Sequence, residues 1–194
     1  LRGNCYSNYA YWDTTVVDWK VGGRSGLLPT GDLQRVHIGC DAGTTNQGED
    51  SIAIGHKTAT TRQDVSAIAI GFMAGNNTQR SNAIAIGSNA GATSQQPSAT
   101  AIGFQAGETN QDRGAIAIGT NAGNQTQSSN AIAIGNVAGQ QLQGERTIAI
   151  GGAAGSNSQK QQAIAIGFQA GQNDQSNNAI AIGVRAGNIT QGNS

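Results

Sequence analysis

The chain is poor in almost everything that catalysis or nucleic-acid binding needs. Charged residues make up 11% of its 194 positions, with 11 Lys and Arg set against 11 Asp and Glu, so the net charge is zero. No basic surface is expected for nucleic acid, nor any attraction to an anionic membrane. There are two histidines (His37 and His56), two cysteines, two prolines and one methionine. Along the chain there is no Cys/His pair at metal-ligand spacing, no phosphate-loop pattern and no serine with an evident base. The acidic residues stand singly and do not recur, as a calcium-binding repeat would require. No apolar run approaches the ~20 residues of a membrane span. These deficits argue for a protein that is not an enzyme, uses no cofactor, binds no nucleic acid and does not insert in a membrane.

What the chain has is a period. Ten glycines (Gly39, Gly55, Gly71, Gly87, Gly103, Gly119, Gly135, Gly151, Gly167 and Gly183) follow one another at 16 residues without insertion or deletion. Each closes a near-copy of Ala-Ile-Ala-Ile-Gly. Such strict spacing means that copies stack, because one extra residue would break register with both neighbours. The residue before each glycine is always Ile. Three residues before it stands Val36 and then Ile, with Thr100 as the one polar exception. An Ala-Gly pair follows three and four residues after the glycine in every copy but one, Thr58-Ala59. Gln stands eight residues after the glycine in all ten copies.

Alternation of aliphatic residues signals a short strand of about five residues, and the recurring Gly and Asn argue against helix. The expected fold is all-β, a parallel β-solenoid of ten 16-residue coils. At a coil spacing of ~4.8 Å it would be a rod of roughly 48 Å. Gly55, Gly71, Gly87, Gly119 and Gly135 represent the corner column, where positive φ would exclude a Cβ. Gln79, Gln111 and Gln127 represent a column suited to a coil-to-coil amide ladder; a row of outward amides binding a ligand is the alternative.

Both faces of the strand are apolar. With Ile filling the coil, the alanines, such as Ala67 and Ala69 or Ala131 and Ala133, would form a flat outward strip. Such a strip suits self-association, because a strand apolar on both faces is usually covered on both; alanine merely tolerated at the surface is the other reading. Phe72, Phe104 and Phe168, each directly after a repeat glycine, are candidates for outward contact.

Residues 1–34 differ. All three Tyr and both Trp lie there, so this segment is expected to be an aromatic-rich N-terminal cap or docking piece, with residues 35–194 forming the solenoid. A carbohydrate-binding aromatic cluster is the alternative use of those rings. Cys5 and Cys40 would either pin the cap to the first coil as a disulfide or remain free thiols. No matching cap follows the last coil, so further chain or a partner is expected beyond Ser194. Three Asn-x-Thr sequons, at Asn76, Asn124 and Asn188, each begin five residues after a repeat glycine and would carry glycans on a eukaryotic secretory route; in a chain this rich in Asn and Thr, chance is the alternative reading.

The segments Ser51-Ile-Ala-Ile-Gly55, Asn82-Ala-Ile-Ala-Ile-Gly87 and Asn130-Ala-Ile-Ala-Ile-Gly135 resemble the head repeats of YadA-like trimeric adhesins. Similar repeats occur in viral and phage fibre proteins. The resemblance covers about residues 35–192. It implies a left-handed β-roll that trimerises, outside the cell on a cell or virion surface, as a structural or adhesive module. It departs from the commonest head repeat in its 16-residue period and its Gln column. Within this reading, the homotrimer would form through the Ala-rich strand face, with a surface receptor or glycan as a further partner. An ice-binding β-solenoid presenting a flat Ala/Thr face is the competing function, although no outward Thr-x-Thr ladder repeats.

Overall fold

In the computed structural model, residues 10–13, 18–21 and 35–189 are described. Strands Ala10–Asp13 and Asp18–Val21 form a two-stranded antiparallel sheet that sets Trp12 opposite Trp19. The rest of the expected N-terminal cap lies outside the described residues.

From Val36 to Ile189 the chain is a parallel β-solenoid. Its first wall is a ten-stranded sheet beginning with Val36–Ile38 and Ile52–Ile54 and ending with Ile180–Ile182. Each strand is three residues long and pairs in register with the strand 16 residues away, as Ile116 with Ile132 and Ala117 with Ala133. Ten repeat glycines therefore bound nine complete turns. The second wall is an eight-stranded parallel sheet running from Arg62–Gln63 to Asn173–Gln175, extended by a bridge between Gln47 and Gln63.

Strands stop at three residues, short of the five expected, because left-handed backbone brackets them. Gly55, Gly71, Gly87, Gly119 and Gly135 have φ between 125° and 129°. A Cβ on any of them would come within 2.5–2.8 Å of the carbonyl of the next coil's glycine. Five residues before each glycine from Gly55 on the chain is left-handed again, at Ser66, Asn82 and Asn130 for example. The residue two after the glycine is left-handed in all ten copies, including Val137 at φ 50°. These corners fold 16 residues into a flattened loop.

The inside of that loop corrects the sequence reading. Ala53, Ala69, Ala85, Ala101, Ala117 and their successors are fully buried, as are Ala67, Ala83 and Ala131. Every buried hydrophobic residue among those described is alanine. Isoleucine faces out, half-buried against its copies in neighbouring coils. The reason is volume. Glutamine from the second wall lies across the interior, and a Cβ on Gly75 or Gly123 would already stand 3.3 Å from the Cβ of Ala69 or Ala117. A branched side chain has no room there, so the period-two pattern resolves with the methyl inside. Alanine burial alone gives such a core little, at about 0.8 kcal/mol per CH₂-sized group. Stability rests on the coil-to-coil hydrogen bonds and on summation over copies.

Candidate interaction face and the columns around it

Since isoleucine points outward, the first wall presents two adjacent aliphatic columns down its length. Thr100 interrupts one of them, half-buried, and pairs in register with Ile84 and Ile116; a hydroxyl is tolerated there because that column meets solvent. Beside the columns, directly after the glycine turn, stand Phe72, Phe104 and Phe168, 46%, 50% and 52% exposed. The apolar strip expected on the outside therefore exists, but it is built from Ile and Phe. The Ala-rich strand face cannot be a trimer interface, and a flat alanine face cannot meet ice, because both would require residues that line the interior.

The glutamine column lies inside. Gln79, Gln111 and Gln127 are fully buried. Gln111 Nε2 donates across the coil to the Thr100 carbonyl at 2.7 Å, to the Ala115 carbonyl at 3.3 Å and to Gln127 Oε1 of the next coil at 3.1 Å. Gln79 makes the same two backbone bonds, to Ile68 at 2.7 Å and Ala83 at 3.2 Å, and Gln127 makes them to Ile116 at 2.7 Å and Ala131 at 3.2 Å. The amide ties the two walls of its own coil and, at six joints, reaches the next amide in the stack. Buried carbonyls require such partners. At two joints the ladder is interrupted, leaving Gln95 Oε1 and Gln143 Oε1 buried without a partner.

Three further placements concern chemistry. Cys40 carries a free, exposed thiol, and Cys5, its expected disulfide partner, lies outside the described residues. Reading along the chain shows no Cys/His pair at metal spacing, yet Cys40, Asp41 and His56 come together, with their ligand atoms all within 4.8 Å of one another. The signal was in the column: Cys40 and His56 both follow a repeat glycine, so stacking makes them neighbours. His37 replaces alanine in the inward column, opposite Ala53, and is exposed in the first coil. Partial burial, and then the positive charge of Arg35, hold its pKa below the ordinary 6.5.

The sequon asparagines take part in stacking. Asn76 accepts from the Thr60 hydroxyl, and Asn124 Nδ2 donates to the Gln105 carbonyl at 3.0 Å and to Glu108 Oε2 at 2.9 Å. A shallow polar groove over the same corner is lined by Thr60, Asn76, Asn89, Thr93 and Glu108, with Asn89 Oδ1 buried and unpartnered. No helix among the described residues is long and apolar enough to cross a membrane.

Comparison with characterised proteins and with solved structures found no match. The family model described as the YadA head domain repeat matches two copies, residues 47–74 and 81–106, together just over a quarter of the chain. Over those stretches the sequence is similar to YadA head repeats.

Proposed function

We propose that the protein is a non-catalytic structural or adhesive rod on a cell or virion surface, a left-handed roll that assembles as a homotrimer through its outward Ile columns. The observation that carries this reading is the pair of aliphatic columns on a sheet face, only half-buried among the described residues and flanked by half-exposed phenylalanines. Contiguous apolar strips of that length on a soluble chain mark contact surfaces. The likeness of residues 47–74 and 81–106 to YadA head repeats supports the same reading. The polar groove at Thr60, Asn76 and Asn89 offers hydroxyl and amide groups suited to a surface glycan, well away from the aliphatic columns in the chemistry that lines it.

Absolute mass by light scattering after size exclusion tests the assembly. A mass near three chains, reduced to one by Ile132→Lys with Ile134→Lys, is the expected result. A wild-type monomer at high concentration overturns it.

A further inference from the structure

We propose that Cys40, Asp41 and His56 form a surface binding site for a late first-row divalent cation, with zinc as the reference ion. Three observations converge. The donor atoms already lie within 4.8 Å of one another. A tetrahedral zinc site with Zn–S of about 2.3 Å and Zn–N of about 2.0 Å sets S and N roughly 3.5 Å apart. Rotation of exposed side chains closes the remaining ångström. The turns carrying the donors are tied together, with Lys57 N donating to the Cys40 carbonyl at 2.9 Å and Gly55 N to the Ile38 carbonyl at 2.7 Å. The His56 ring rests against Phe72 of the following coil, with centroids 5.6 Å apart and planes tilted by 40°.

The donor set chooses the metal. Calcium and magnesium take oxygen ligands, whereas a thiolate, an imidazole and one carboxylate suit zinc and its neighbours. Three protein ligands leave a fourth position for water. Binding replaces the thiol proton with the metal and releases that proton to solvent, so affinity rises with pH. Among the described residues no other group of three such side chains lies this close. The site stands in the column of Phe72, beside the outward Ile columns, but its test reads bound metal and not mass, so failure of one proposal is distinguishable from failure of the other.

Cobalt(II) is the probe, titrated into the full chain with its thiols reduced. The expected result is one equivalent bound, with a saturable thiolate-to-cobalt charge-transfer band that zinc displaces. Cys40→Ser removes the band. Asp41→Asn and His56→Gln each weaken binding by at least about tenfold, while Cys5→Ser and His37→Gln leave it unchanged. The proposal is overturned if wild type and Cys40→Ser bind alike, if Cys5→Ser abolishes the band, or if thiol titration of protein isolated without reductant shows Cys40 already in a disulfide.

Discussion

The two walls of the solenoid solve the same stacking problem differently. On the first, every coil contributes three residues in one extended conformation. On the second, the backbone takes either of two routes. Seven residues after the glycine, Asn46, Ser94, Asn110, Ser158 and Asp174 are left-handed, whereas Arg62, Thr78, Thr126 and Leu142 are not. Asn and Asp adopt that conformation at small cost, and β-branched threonine does not. Both routes deliver the next residue, Gln, to the same buried place. What the coil conserves is the amide across its interior; the path of the chain behind it is negotiable.

The strongest way to break that contrast is Gln111→Leu. It leaves the Thr100 and Ala115 carbonyls without the amide and removes the acceptor that Gln95 uses. At about 1–3 kcal/mol for each buried group left unpaired, a loss of about 4 kcal/mol is expected in denaturant unfolding. A loss under about 1 kcal/mol would show that the ladder is dispensable. Ala117→Leu tests the interior volume of the first wall. Overpacking there should cost about 3 kcal/mol, whereas Ile118→Leu on the outward face of the same strand should change melting far less. Equal effects would remove the distinction between inside and outside.

Val137→Gly asks whether left-handed strain is real at a corner held by a β-branched residue. Relief of about 1 kcal/mol should raise the melting temperature, and no rise would mean that the Val137 side chain contributes packing of equal size. The smallest effect concerns pH. Because folding lowers the His37 pKa below 6.5, the unfolded chain binds more protons just under that value. Stability should be flat above pH 6.5 and decline slightly as pH falls below it. His37→Gln should abolish that decline, and an identical decline in the variant would assign it elsewhere.

The period, the strand class and the solenoid were legible from the ten glycines, because an unbroken spacing admits only stacking. Which face points inward was not, since alternation leaves Ala and Ile equivalent until volume is considered. The clue was present at Thr100, a polar residue in the isoleucine column. The meeting of Cys40 with His56 was equally open to anyone reading down a column instead of along the chain. Partial exposure of His37 follows from its coil being the first of the sheet, which a residue pattern alone does not express.

The uniformity of the first wall leaves register undetermined over long distances. Except at Val36–Ile38 and Thr100–Ile102, a strand displaced by a whole coil would meet the same Ile-Ala-Ile partner, so that sheet carries almost no address. The residue seven after each glycine supplies one. Left-handed and extended coils alternate in pairs along the second wall, so neighbours are unlike at about half the native joints, whereas skipping one coil would make them unlike at every joint. Adding or removing one 16-residue unit would therefore leave the pairing of the first wall almost unchanged, while the succession of backbone routes on the second wall would be altered.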